Sequence, residues 1–408
     1  MRILVINAGS TSVKVSLFDL QKSASIENPV EAIANGKIDW RDNKAEIKIE
    51  TAAGEKQHEE KDAANKDDVI ESLLDKLSQD KKQISAVGHR IVHGGGKYSH
   101  TVQIDETVLK DLASYSDLAP DHVVENVKAI ELSRRVFPDV PQYAAFDTAF
   151  HHTMPESAII YAGPYEWYEK QGIKRFGFHG LSHYYIAHRT SHLLKRQLSD
   201  LNTITCHLGG GASLCAVKGG ISVMTTMGYT PLEGLVMQTR SGSIDPGLVL
   251  SLLAKNTYSP KQLLEVLNKQ SGLKALSGLS GDMREIEQAR IDGNKRAALA
   301  FDIYVESIAS NVASLVPCLK RLDVLAFAGG VGENSSAVRE AVAEKLNFLG
   351  VAVDPETNKI TGPQDRNIST KTAKITTLVV HTKEELAIAL EANRLLEESE
   401  KTAPTLKG

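Results

Sequence analysis

Two stretches of the chain end an apolar strand on a polar side chain and follow it with glycine and other small residues. Residues 2–15 read Arg-Ile-Leu-Val-Ile-Asn-Ala-Gly-Ser-Thr-Ser-Val-Lys-Val. Residues 202–218 read Asn-Thr-Ile-Thr-Cys-His-Leu-Gly-Gly-Gly-Ala-Ser-Leu-Cys-Ala-Val-Lys. The polar residues are Asn7 and His207. Each is followed by a small-residue turn and a second strand. Such turns let backbone N–H groups approach phosphate oxygens closely. One such hairpin is an ordinary turn. Two, about half a chain apart, predict similar domains facing one nucleotide. Phosphoryl transfer is the chemistry they point to.

The surrounding pattern must hold those hairpins in place. Residues 1–20 read as two strands, and Ala45–Ile49 alternates with period two inside the polar stretch 21–65. Val69, Ile70, Leu73, Leu74 and Leu77 fall at helical spacing and predict a helix over 66–79. Ala86–Val92 reads as a buried strand, 122–136 as a helix, and Tyr143–Phe146 as a short strand ending on Asp147. A second half starts near His151. It has a helix over 182–198 and the repeated hairpin. Asp245-Pro246 and Ser259-Pro260 each pair an N-cap with Pro at the first helical position. An apolar helix follows over 295–316, then a strand, Val324–Ala328, running into a Gly turn. The next helix is expected from about Ser335. A last strand, Leu378–His381, precedes a helix from about Lys383, and the tail 399–408 is expected to fray. The class is α/β.

With 408 residues, two domains are expected. They are placed at 1–150, completed by the C-terminal helix at about 384–408, and at 151–383. The formal net charge of -4 gives no reason to expect a nucleic acid or an anionic membrane as partner. Cys206, Cys215 and Cys318 lack metal-ligand spacing and do not suggest a disulfide framework. Free thiols in a reducing cytoplasm are the plainer account. The N-terminal apolar run reads as a strand rather than a signal peptide. No apolar stretch is expected to cross a bilayer.

The segments Asn7–Lys14, His89–Gly95, Phe146–His151, Phe176–His183, Thr230–Leu235, Thr239–Gly242 and Gly329–Ser335 closely resemble the acetate kinase family, in that family's order and over nearly the whole chain. The resemblance implies the duplicated fold shared by acetate and sugar kinases, actin and the heat-shock chaperone ATPases. That fold has two ribonuclease-H-like, actin-like ATPase domains and an interdomain cleft. The resemblance also implies a homodimer, ATP, Mg²⁺ (or Mn²⁺), and interconversion of acetate and acetyl phosphate.

An acid kinase has a carboxylate nucleophile, already ionised at pH 7 because its pKa is about 4. No strong base is needed. Repulsion between that anion and the triphosphate is the obstacle, so fixed cations and a metal must hold both reactants in line. Guanidinium is always charged and grips carboxylate or phosphate bidentately. The resemblance implies that Arg90 binds the acid and that Arg240 stabilises the transferring phosphoryl group. Surface salt bridges are the plainer reading of either Arg. Asp147 ends a strand, where α/β proteins place functional groups. The resemblance makes it the catalytic acidic residue, read here as orienting metal-bound water. Alone it would be a turn cap. His179 resembles the transition-state stabiliser, acting as imidazolium or as a neutral N–H donor. Alone it would be a packed core histidine.

The resemblance also assigns the remaining site. His207, Leu208, Gly209, Gly210 and Gly211 cradle nucleotide phosphates, with Lys14 as a phosphate contact in the first hairpin. Asn7 and Glu384 lie near the metal, and hard oxygens of this kind suit Mg²⁺. A first-turn Glu favoured by the helix dipole is the plainer reading of Glu384. Gly330, Val331, Gly332, Glu333 and Asn334 take adenosine or phosphate. Asp282, Met283 and Arg284 form the adenine side. Val92, Phe178 and Pro231 form the apolar pocket for the acid.

Some positions depart from the family's pattern. Gly210 stands where Asn is usual, Met224 for Asp, Gln238 for Gly, and Ser243 for an acidic residue or Asn. These lie on the donor side and keep a pyrophosphate- or polyphosphate-dependent enzyme as an alternative. Asp121 replaces a pocket Leu and is expected to turn to solvent or pair with His122, unless the acid is not acetate. A propionate or butyrate kinase is the nearest rival. From another class comes a non-catalytic nucleotide-binding regulator.

Overall fold

The computed structural model describes the chain outside residues 10–11, 42, 64, 79–80, 116–119 and 403–408, and outside the side chains of 120–122 and 402. The expectation for Asp121 and His122 therefore lies outside the described residues. The chain divides into two compact units, Met1–Ala149 with Lys383–Gly408, and Phe150–Thr382.

Among the described residues, the first unit is built on eight strands: β1 (Arg2–Ala8), β2 (Ser12–Asp19), β3 (Ala34–Arg41), β4 (Lys44–Thr51), β5 (Lys56–Asp62), β6 (Ile84–Ile91), β7 (Val102–Gln103) and β8 (Gln142–Phe146). Their order is β5-β4-β3-β2-β1-β6-β8-β7. β1, β6 and β8 run parallel, and the rest of the sheet is antiparallel. β1 sits in the middle, so Ile3–Ile6 is buried on both faces. The helix Lys66–Leu77 lays its predicted apolar stripe on this sheet, with Asn65 accepting from the Asp67 N–H as N-cap. A Cβ on Gly36 would lie 2.6 Å from Leu73 and 2.7 Å from Leu77, so glycine permits this close packing.

The second unit has six strands: β9 (Asn202–Leu208), β10 (Ala212–Lys218), β11 (Ile221–Thr225), β12 (Val324–Ala328), β13 (Arg366–Asn367) and β14 (Thr376–Val379). Their order is β11-β10-β9-β12-β14-β13. It matches β3-β2-β1-β6-β8-β7 strand for strand, and every neighbouring pair has the same relative direction. The fold is a duplicated α/β domain, with β4 and β5 extending the first copy.

Four expectations are corrected. Residues 21–65 hold three strands rather than one. Gly329–Asn334 is a short helix, not a turn, and a further helix runs over Ser336–Lys345. The final helix, Glu384–Thr402, continues past the point where fraying was expected. The 25-residue helix Lys295–Leu319 is long and apolar enough to cross a membrane by length and composition. Its buried face, from Ala297 through Phe301, Tyr304, Val305 and Ile308 to Leu319, makes it a core helix of the second unit.

Candidate active site

In the first unit, three parallel strands deliver polar side chains at their C-terminal ends. Asn7 comes from β1, Arg90 from β6 and Asp147 from just beyond β8. Arg90 donates from Nε to Asp147 Oδ1 at 3.0 Å and from Nη2 to Oδ2 at 2.6 Å. Arg90 Nη1 donates to Asn7 Oδ1 at 3.2 Å. Glu384, from the start of the final helix, places Oε2 3.7 Å from Arg90 Nε. The Asp147 side chain is 2% exposed and that of Arg90 21%. Burial acts to lower the Arg90 pKa, but Asp147 and Glu384 outweigh it and hold the guanidinium above its ordinary value. This is a fixed cation whose geometry is set by a buried carboxylate.

Lys14 is exposed and lies directly across the β1–β2 ladder from Asn7, on the same face. Val92 is buried, and its N–H donates to Asn126 Oδ1 at 3.1 Å. Asn126 Nδ2 donates in turn to the Ala8 carbonyl at 2.9 Å. One buried side chain of the helix Pro120–Val136 thus ties the end of β1 to the segment after β6. The sequence reading missed Asn126, and an isolated Asn on a helix gives no periodic signal.

In the second unit, His179 is the N-cap of the helix Gly180–Leu194, with φ 57 in the left-handed region. Its ring stacks on His207, centroids 4.3 Å apart and planes inclined by 28°. His179 Nδ1 lies 2.8 Å from Ser213 Oγ, and His207 Nδ1 lies 2.8 Å from Ser182 Oγ. Behind them are His183, bonded to Ser213 and Thr205, and His151, bonded to Ser222 and the Phe178 carbonyl. Burial pushes His151 down to about 4 and His183 well below its ordinary value.

The glycine loop meets this network closely. A Cβ on Gly211 would lie 3.2 Å from His179 Nε2 and 3.4 Å from Arg240 Nη1. Arg240 itself donates to the Pro231 carbonyl at 3.2 Å. Leu208 is fully buried and contributes backbone rather than side chain. Gly329, with φ +76, packs against it: a Cβ there would lie 2.8 Å from the Leu208 carbonyl oxygen. Phe178 is buried at 1% exposure, so its side chain belongs to the core.

A cavity of about 510 Å³ opens beside the loop, entirely within the second unit. Of the residues expected at the nucleotide, Gly209, Gly210, Asp282, Met283, Arg284, Gly330, Val331 and Asn334 line it. Asp282 caps the helix Met283–Ile291 and pairs with exposed Arg284. Glu333 turns elsewhere. Its Oε1 accepts from the Gly329 and Thr382 N–H groups at 2.9 and 3.2 Å, and its Oε2 meets His381. Glu333 holds the loop in shape, and Gly332 is packed beneath it. Buried Arg339 donates to the carbonyls of Gly332 and Glu333 and so caps the glycine helix. Gln238, Leu273, Gly281, Glu287 and Ser335 also line the cavity and were not foreseen as nucleotide contacts.

Two departures from the family pattern lie side by side. Gln238 N–H donates to the Gly210 carbonyl at 3.2 Å, and a Cβ on Gly210 would lie 3.1 Å from Gln238 Oε1. Where an Asn at 210 would reach, Gln238 already stands. Ser243 is bonded both ways to Gly234, and Met224 sits in β11 opposite Ala216.

The sequence model of the acetokinase family matches residues 2–390. An acetate kinase of Cyanothece sp. (strain PCC 7425 / ATCC 29141) is 46% identical over 406 residues, covering 97% of this chain and 99% of that protein. The crystal structure of Porphyromonas gingivalis acetate kinase superposes with a TM-score of 0.88 at 37% identity, covering 97% of this chain and 99% of that one. A propionate kinase from Francisella tularensis subsp. tularensis SCHU S4 superposes with a TM-score of 0.89 at 36% identity, covering 96% and 99%. By sequence and by fold, the chain belongs to the acetokinase family, enzymes that transfer a phosphoryl group to a carboxylate.

Proposed function

We propose that the protein catalyses reversible phosphoryl transfer between ATP and acetate, giving acetyl phosphate and ADP by direct attack of the carboxylate. The approach of His179 and Arg240 to Gly211 carries this reading. It provides two cation-capable donors at a bare backbone loop, which suits the charge spread over a transferring phosphoryl group. The adjoining cavity takes the nucleotide. Arg90 receives the acid. Its bonds to Asp147 and Asn7 use three of the guanidinium's five N–H groups, one each from Nε, Nη1 and Nη2. The others can grip a carboxylate.

Asn7, Asp147 and Glu384 gather oxygen ligands around Arg90 in this unit, and hard oxygens are the donor type that suits a small divalent ion. Asn7 and Glu384 would hold Mg²⁺ or Mn²⁺. Bound there, the ion would offset the charge of the phosphates. Asp147 keeps Arg90 aligned and would orient water on the ion.

A homodimer is part of the proposal. The helix Pro246–Ala254 is almost wholly apolar, none of its residues is buried, and Leu248 and Leu250 are 51% and 66% exposed. A second copy of the chain would cover it. The free thiols of Cys206, Cys215 and Cys318 suit a cytoplasmic setting. The propionate kinase likeness supports propionate as the second reading.

Hydroxamate trapping across a matrix of donors and short acids, with metal omitted as a control, tests all of this. ATP with acetate and Mg²⁺ should give the most acyl phosphate. A stronger signal with propionate, or with pyrophosphate as donor, would reassign that substrate. No product with any acid would leave a nucleotide-binding regulator.

A further inference from the structure

We propose that Thr205, His183 and Ser213 form a hydrogen-bond relay that fixes a proton on His179 Nδ1, so that His179 Nε2 donates to a phosphoryl oxygen only when the ring is a cation. The inference rests on the reading of His179 as a phosphoryl contact and makes that contact specific.

The argument follows the single proton of each hydroxyl. Thr205 Oγ1 donates to the Cys215 carbonyl at 3.3 Å. With its hydrogen used there, Thr205 can only accept from His183, whose Nδ1 lies 2.7 Å away. His183 therefore carries its proton on Nδ1. It is fully buried and held neutral by that burial, so its Nε2 is bare and accepts. Ser213 Oγ lies 2.8 Å from that nitrogen and must donate to it. Ser213 then has only lone pairs left for His179 Nδ1, also 2.8 Å away, and His179 must be the donor. The Nδ1 proton is fixed, and a neutral His179 would present a bare Nε2.

That Nε2 and Arg240 Nη1 both lie close to Gly211, 3.2 and 3.4 Å from where its Cβ would be. A bare lone pair there would repel a phosphoryl oxygen, whereas an imidazolium N–H adds a hydrogen bond and a charge. Within the unit, the groups facing the ring are His207, stacked on it, His183 behind Ser213, and Arg240. Thr205, His183 and Ser213 are thus positioning residues. Each lies inside the fold at 0% exposure.

The test is long-range ¹⁵N NMR of the full chain labelled at histidine nitrogen. In the wild type, His183 should be neutral with its proton on Nδ1, and His179 should keep an Nδ1 proton throughout its titration. A neutral His179 protonated on Nε2 would overturn the relay. Thr205→Val removes the acceptor and should reverse the chain. His183 moves its proton to Nε2, Ser213 donates to His179, and neutral His179 becomes an Nε2 donor. Acetyl phosphate formation should then show kcat reduced roughly tenfold with the acid KM unchanged, because a charge-assisted bond has become a neutral one. Thr205→Ser should restore both spectrum and rate. A Thr205→Val protein with an unaltered His179 spectrum would also overturn the inference. The wild-type spectrum needs no variant and no substrate. Absence of acyl phosphate with every acid would therefore refute the kinase reading while leaving the tautomers measurable.

Discussion

The two hairpins share one topology and end on opposite kinds of chemistry. In the first unit, Asn7 faces Lys14 across the ladder, and its amide oxygen accepts from a guanidinium held by a buried carboxylate. In the second, His207 faces Ser213, and the surrounding bonds are hydroxyl to imidazole. The loops differ as well. Four residues separate Ala8 from its partner Val13, while Gly209, Gly210 and Gly211 alone separate Leu208 from Ala212. A charged cluster holds its geometry by Coulomb attraction where solvent is scarce. A network of hydroxyls and imidazoles holds it by matching donors to acceptors and leaves the backbone bare. The first arrangement suits gripping an anion or a metal. The second suits wrapping phosphates whose charge must remain free to shift.

The sharpest way to break this comparison is to remove one charge from each unit. Arg240→Ala should lower turnover by several powers of ten, the scale of an arginine clamp on a transferring phosphoryl group. Folding should persist, because its segment is held by backbone bonds such as Met237 to Arg240 and Ser271 to Thr239. Asp147→Asn should instead reduce stability by about 3 kcal/mol, since it leaves Arg90 without its buried counter-charge. Acyl phosphate assays and urea melts on both variants would check the contrast. If Asp147→Asn melts like the wild type, the first cluster is not held together by its ion pair.

A comparable effect acts through pH in both units. Burial depresses His89 in the first unit and His151 in the second from 6.5 to about 4, against the partial opposition of their hydrogen bonds. Below about 6.5 the unfolded chain takes up a proton at each position that the folded chain refuses. Stability therefore falls as pH drops through that window toward 4, by about 1.4 kcal/mol per pH unit for each histidine. Urea melts at a series of pH values should show this slope. His89→Gln should flatten it by the share of one histidine. An unchanged slope would mean that His89 is protonated in the native state.

What the sequence disclosed, and what it hid, follows from how each part is stabilised. Strands ending on Asn7, Asp147 and His207 were legible because their apolar runs are central and buried. β5, Lys-Gln-His-Glu-Glu-Lys-Asp, was not legible, because it is a solvated edge strand with no apolar face to reveal a period of two. The Gly329–Asn334 helix contradicts local propensity. It is held by Arg339 from outside, on its carbonyls, and by its own Glu333 side chain, which accepts from its first N–H. Asn126 and the Thr205–His183–Ser213 relay act through single long-range bonds, which leave no pattern along the chain. The site residues the sequence did offer came from motif resemblance. Composition alone would have made His179 a core residue.

The finest distinction concerns the loop of the second unit, where Gly210 and Gln238 replace the family's usual Asn and Gly. Their proximity makes them one unit rather than two independent losses. Gly210 has no need of positive φ, so Gly210→Asn adds a side chain without backbone strain, but its Cβ meets Gln238 Oε1 at 3.1 Å and must push it aside. Gln238→Gly removes that wall of the cavity and its amide together. Each single change should raise the KM for ATP by about fivefold, near 1 kcal/mol, and leave the acid KM untouched. The double change should return close to the wild type, since contacting residues couple by roughly 0.5–3 kcal/mol. Steady-state kinetics on the four proteins give the coupling directly. Additive losses in the double variant would mean that Gln238 contributes to the cavity independently of position 210.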